Sequence, residues 1–342
     1  MFETLKTLCG IPGVSGDEGG VRDYIIGRVS GHADEVVTDV MGNVIVFKKG
    51  AKASPRGKLM LCAHMDEVGV VITHITDDGY LKFAMAGSVD SRVVVGKAVT
   101  VGAGGVFGVI GCKAFHLCKE EERGKAVKAE DMYIDIGVNS REEAEKLVTP
   151  GDTGAFDTEV RTFGDGFLRA KAIDDRFGCA VLLELIESDP PVDCTYAFTV
   201  QEEVGLRGAQ AAAYRAAPDI ALIIEGTTAA DVPSVSDGKK VCRTGGGVVI
   251  PFMDGGAIYD RGLYKMLTGL ADKNGITWQT KNVVAGGTDG SAVQRSRAGV
   301  KTAAIAAPIR NLHSPSCVGK LSDMEAALRL ARLFLKEMGE PE

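Results

Sequence analysis

The sequence is poor in aromatic residues: Phe, Trp and Tyr make up 6% of 342 residues, with a single Trp. None of its eight Cys stands in a CxxC pair. Most of them lie in apolar runs such as LMLCAHMD and DRFGCAVLL, where a free Cys behaves as a small hydrophobe. The start, MFETLKTLCGIPG, lacks the apolar core of a secretory leader, so the expectation is a reduced, cytoplasmic protein. Positive charge is not in excess. The net charge is −7 and the pI about 5.4, which gives no electrostatic reason to bind nucleic acid or an anionic membrane. The longest nearly apolar run, 98–112, is Gly-rich and shorter than the ~18 residues a spanning helix needs. No G-x-S-x-G elbow occurs, which argues against a Ser hydrolase. VGAGGVFG (101–108) is followed by β-type residues instead of a helix, so a dinucleotide site fails too. There is no internal repeat and no low-complexity segment.

What is present is an ordinary globular mixture, 45% apolar and 25% charged, long enough for about two domains. Ser15 and Glu18 form an S-x-x-E capping box ahead of a helix with Val21, Tyr24, Ile25 and Val29 on one face. DVMGNVIVFKKG (39–50) predicts a hairpin turning at Gly42-Asn43, and GKLMLCAHMDE (57–67) a short buried strand. From 67 to 165 short β-rich runs alternate with Gly and Asp turns, the pattern of a small barrel or sandwich. Only 140–148 looks helical there, and 119–131 reads as a mobile charged loop. From 166 onward strands and helices alternate, which implies an α/β sheet covered on both faces. The expected organisation is one α/β domain, residues 1–66 and 166–342, interrupted by an inserted β domain, 67–165.

Five polar groups draw attention by position. His64 and Asp66 follow LMLC; Glu202 and Glu203 follow TYAFTV; Glu225 follows DIALII; His313 follows TAAIAAPI; Asp174 and Asp175 precede a helix. Ligands in open α/β sheets bind outside the carboxyl ends of strands, so four strands aim these groups at one edge. A cluster of carboxylates without cations repels itself. Two His and at least three carboxylates suit a pair of divalent metals. One carboxylate would bridge the ions and one would stay free as general base. Glu202-Glu203 fits that split, since neighbouring side chains leave an extended backbone in opposite directions. The bland alternatives are helix capping for Asp174-Asp175, a solvated acidic turn for Glu202-Glu203 and a strand exit for Glu225. His32, His74 and His116 lack such company and are read as structural.

The set AHMDEVG, KAIDDRFG, QEEVGLRGA, IIEGTTAAD, GGTDG and RNLHSP, in this order, resembles the cocatalytic aminopeptidases of the glutamyl/deblocking type, the TET-type enzymes of clan MH. The resemblance covers essentially the whole chain. It implies an α/β fold with a mixed sheet, helices on both faces and an inserted small β-barrel domain. It implies two divalent ions, Zn or Co, with Asp174 bridging, His64 and Glu225 completing one site, and Glu203 and His313 the other. Glu202 would be the general base, and Asp66 would orient the His64 imidazole. The substrates implied are peptides with a free N-terminus. Self-association would run through the inserted domain, as dimers building a tetrahedral dodecamer. Gly287, Thr288 and Asp289 (GGTDG) are expected to line the substrate cleft, and Arg310 to face an acidic N-terminal residue. Two departures stand out: Glu225 where many relatives have Asp, and AMAGSVDSRVV where many have a Gly-Gly-Trp-like segment. The alternatives are a dinuclear carboxypeptidase or amino-acid deacylase on the same scaffold, and a catalytically silent scaffold or binding protein.

Overall fold

The computed structural model describes residues 1–341. Its large sheet runs, strand by strand, Glu35–Thr38, Val44–Lys48, Cys194–Thr199, Leu59–His64, Ile220–Thr228, Lys301–Arg310, Cys317–Lys320, Phe167–Ala170 and Arg161–Phe163. The central four, from Cys194–Thr199 to Lys301–Arg310, are parallel, and the flanking strands are antiparallel. Two short strands, Val248–Val249 and Trp278–Gln279, extend the sheet beside Lys301–Arg310.

The parallel strands read as unbroken apolar runs because both of their faces are covered. Leu59, Leu61 and Ala63 join the core under the helices Phe2–Gly10, Gly19–Val29, Ile173–Ile186, Arg261–Lys273 and Leu321–Met338. Met60 and Cys62 point the other way, toward Arg207–Ala216 and Gly290–Gln294. The same alternation divides Leu222 and Ile224 from Ala221 and Ile223.

Between His64 and the return to this sheet the chain builds a closed antiparallel barrel. Its strands are Gly69–Ile75, Leu81–Ala86, Ala98–Val101, Val106–Gly111, Tyr133–Asp135 and Thr153–Phe156. Val70, Ile72, Phe83, Val99, Ile110 and Ile134 fill its interior. Arg161–Phe163, at the end of the stretch expected to be inserted, pairs instead with Phe167–Ala170 of the large sheet. The hairpin near residue 42 forms as Glu35–Thr38 with Val44–Lys48, its turn held by Asp39.

One expected local device is absent. Ser15 does not cap the Gly19–Val29 helix; its hydroxyl donates to Asp66 Oδ2 at 2.6 Å. Glu18 accepts instead from the N–H groups of Gly16 and Gln201, at 2.7 and 3.1 Å. Long-range acceptors and donors at the sheet edge outcompete the local box.

Below that edge lies a buried charge network. Glu67 Oε1 accepts from Lys171 Nζ at 2.6 Å, the Gly13 N–H at 3.0 Å and an Arg176 nitrogen at 3.4 Å. Arg176 also donates to the carbonyls of Leu8, Ile11 and Met65. These bonds tie the N-terminal segment to the turn after His64. Glu67→Gln leaves two buried cations with neutral acceptors only and no compensating charge. The expected loss is about 3 kcal/mol, read from the urea midpoint. An unchanged midpoint would show that the carbonyls alone hold the cations.

Candidate active site

Register places the candidates at one level of the sheet. Thr199 pairs with His64, Ile223 pairs with Cys62, and Glu225 pairs with Ala306. Glu225 does not follow its strand. It lies within Ile220–Thr228, which continues because Lys301–Arg310 pairs with its whole length.

His64 Nε2 lies 3.1 Å from Glu225 Oε1, 3.5 Å from Asp174 Oδ1 and 4.0 Å from Glu202 Oε2. His313 Nε2 lies 3.2 Å from Glu203 Oε2 and 3.6 Å from Asp174 Oδ2. Asp174 thus turns one oxygen toward each imidazole. The side chains of His64, Asp174, Glu203 and Glu225 are buried, whereas that of His313 is 29% exposed.

The backbone around these groups is tightly constrained. Ala172, Gln201 and His313 have φ of 52°, 55° and 55°, a region that ordinary residues occupy at a cost of roughly 1–3 kcal/mol and that clusters at functional sites. Gly226 donates its N–H to Asp174 Oδ1 at 3.2 Å. A Cβ at Gly226 would stand 2.6 Å from that same oxygen, so only Gly lets the strand approach. Asp175 accepts from the N–H groups of His64 and Gly178, at 3.2 and 2.9 Å, joining the strand to the helix start.

Asp66 meets the His64 imidazole through its backbone carbonyl, while its carboxylate serves elsewhere. His64 Nδ1 is 3.1 Å from the Asp66 carbonyl oxygen and 3.4 Å from its carboxylate. The carboxylate accepts the N–H groups of Glu202 and Glu203 at 2.9 and 3.1 Å, besides the Ser15 hydroxyl. It fixes the turn that carries both glutamates.

The charges are mutually unbalanced. Burial pushes Glu225 well above the usual carboxylate range, against the pull of His64, and it does the same to Glu202. Burial and the nearby Asp174 bring Glu203 to about 7, although His313 opposes them. Burial also raises Asp174, but the two imidazoles outweigh it and hold that group well below its ordinary value. Burial opposes charge on His313, yet Asp174 and Glu203 raise it to about 9. Glu225 Oε2 is buried with no hydrogen-bond partner. His64, Asp174 and Glu203, and likewise His64, Asp175 and Glu225, bring ligand atoms within 4.8 Å of one another. Imidazole nitrogens and carboxylate oxygens so placed, one of them orphaned, fit divalent cations.

The residues expected to touch substrate are mostly engaged elsewhere. Gly287 is exposed beside Gly286. Thr288 is buried and bonded to Tyr259 at 2.9 Å and to Asp254 at 3.3 Å. Asp289 is buried and accepts from the Thr199 hydroxyl and, at 3.8 Å, from Cys62 Sγ. Arg310 forms a two-point ion pair with Asp231, both bonds 2.8 Å, and lies over the Phe167 ring. Its guanidinium is therefore already satisfied. Spacing from the motifs could not reveal Asp231, because that contact spans 79 positions. The sequence reading also missed Ser15, Glu67, Lys171 and Arg176 as supports of the site; the charged residues inside the apolar AHMDE and KAIDDRFG motifs were the available signal.

The profile of the M42 glutamyl aminopeptidase family matches residues 42–330. The lysyl aminopeptidase of Pyrococcus furiosus is 31% identical, aligning 98% of this chain with 97% of its own. An aminopeptidase structure from the archaeon Desulfurococcus kamchatkensis superposes with a TM-score of 0.92 at 38% identity, covering 98% of this chain and 94% of that one. The Pyrococcus horikoshii TET1 peptidase, described as assembling into a tetrahedron or a large octahedral shell, gives 0.86 at 36% identity, with 98% of each chain covered. A profile spanning most of the sequence, relatives aligned end to end and the shared fold lead to one conclusion: this chain belongs to the M42 glutamyl aminopeptidase family.

Proposed function

We propose that the protein is a metal-dependent aminopeptidase that removes N-terminal residues from peptides. The observation that carries this reading is Asp174 between His64 and His313, with Glu202 beside them. His64, Asp174 and Glu225 would hold one divalent ion, and Asp174, Glu203 and His313 a second. Such ions supply an acidified water and polarise the scissile carbonyl. Glu202 takes a proton from the attacking water and returns it to the departing amine. Asp66 holds Glu202 in place through its backbone N–H. The free α-amine of the substrate would lie near one of these ions. Zn and Co both suit the donor set.

The preference for acidic N-terminal residues rests on the family description, since Arg310 is held by Asp231. Self-association through the barrel is supported by its exposed Phe107, Phe115 and Leu117, and by the shells of the P. horikoshii relative. We place the protein in the cytoplasm as dimers building a dodecamer; sedimentation velocity reads that assembly. No helix among the described residues is long and apolar enough to cross a membrane.

Chelation is expected to reduce hydrolysis of aminoacyl p-nitroanilides to background, and Zn or Co to restore it. N-acetylated substrates should resist the loaded enzyme. Equal cleavage of acetylated and free substrates would overturn the aminopeptidase reading in favour of a deacylase or carboxypeptidase. No hydrolysis with any metal would favour a silent scaffold.

A further inference from the structure

A second cleft adjoins the metal centre on its open side. Of the five candidate ligand side chains, that of His313 is by far the most exposed. It opens into a cleft of about 630 Å³. One wall is the 311–316 loop that carries His313, and the other is residues 90–97 of the barrel, with Arg92 and Lys97. The barrel wall starts against the centre itself: a Cβ built on Gly87 would stand 3.5 Å from Glu203 Cβ. The cleft thus shares His313 with the site, and its two walls are loops of the large sheet and of the barrel.

Its charge is unusual for a chain of net charge −7. Arg92 pairs with Asp90, two residues away, with contacts of 2.8 and 3.0 Å from Nε. Lys97 is exposed and has no ion-pair partner among the described residues. The wall thus carries one uncompensated cation next to a forked one. Val93 and Val95, 37% and 39% exposed, supply apolar surface between them. A volume within roughly 300–1,000 Å³ suits a small ligand, not a folded partner.

With the N-terminal amine beside the ions, the open His313 side offers the rest of the peptide a way out. The geometry points to this cleft as the seat of the residues beyond the scissile bond, with Lys97 taking the free C-terminal carboxylate of a short peptide. The inference rests on the aminopeptidase reading and narrows it to short peptides with a free C-terminus.

The test uses pairs of tripeptides identical except that one ends in a carboxylate and the other in a carboxamide. The loaded wild type should show kcat/KM about tenfold higher for the acid, the worth of one charge-assisted hydrogen bond. Lys97→Ala should bring this ratio close to one, and Lys97→Gln should do the same if the alanine variant folds poorly. The same preference should appear in peptide Kd measured on Glu202→Gln, where hydrolysis is disabled. A wild type that cleaves both members equally overturns the inference and leaves the aminopeptidase reading intact. So does a Lys97 variant that slows both equally. A wild type that cleaves neither overturns the aminopeptidase reading itself.

Discussion

Glu202→Gln is expected to lower kcat on aminoacyl p-nitroanilides by about 10²–10⁴-fold, the usual loss when a positioned general base is removed. Glu202 stands 4.0 Å from His64 Nε2, farther than the groups that pair with the imidazoles. It would thus stand near the reacting position without joining the proposed ligands. Its backbone N–H is pinned to Asp66 Oδ1 at 2.9 Å, so the carboxylate is placed by a fixed turn. Burial, together with Glu225, Asp289 and Glu203, pushes its pKa well up against the pull of His64, the direction that suits a base working near neutrality. Gln keeps the shape and loses the proton acceptor. Metal content should therefore stay at the wild-type level while turnover collapses, and the two are read by atomic absorption and steady-state kinetics. A loss below tenfold with full metal would give the proton transfer to another group. Loss of metal along with rate would make Glu202 a ligand.

The placement of these groups was legible in sequence because it follows from the sheet. Strands buried on both faces must be apolar throughout, so Leu59–Ala63 and Ile220–Ile224 announce themselves as unbroken runs. Polar residues that interrupt such runs then stand at the carboxyl edge, where ligands bind. The structure brings His64, Asp174, Glu203, Glu225 and His313 together as that logic requires. What the sequence conceals is the choice among partners far apart in the chain. Ser15 and Glu18 match a local capping box, yet Asp66 and Gln201, 51 and 183 positions away, take their hydrogen bonds. Arg310 reads as a free cation until Asp231 folds against it. Glu225 reads as a strand end until the neighbouring strand proves long enough to carry it further. In each case a local rule gives way to a partner that only the fold brings near.

Asp174→Asn is expected to abolish the site more completely than the loss of any other single candidate. Its two oxygens face different imidazoles, at 3.5 Å for His64 and 3.6 Å for His313, so it would be the residue shared by both proposed ion positions. An amide keeps one acceptor oxygen and turns an N–H₂ toward the other position, where a cation would be repelled. It also removes a full negative charge from between two groups that would each hold a dication. The Gly226 N–H, which donates to Oδ1, then fixes whether oxygen or nitrogen faces His64. A retained donor there favours oxygen on that side, so any surviving ion should sit with His64 and Glu225, not with His313 and Glu203. Metal content should fall from two ions per chain to one or fewer, and kcat by roughly 10⁴-fold, the equivalent of several kcal/mol of lost carbonyl polarisation and water activation. Stability provides a readout independent of turnover. Ions that bind only the folded chain raise its melting temperature with concentration, so the wild type should gain more from added metal than the variant. His313→Ala makes the contrast, since it should empty one position and spare the other. If Asp174→Asn retained two ions per chain, the shared carboxylate would be wrong, and each cation would have to be held by its own imidazole and glutamate.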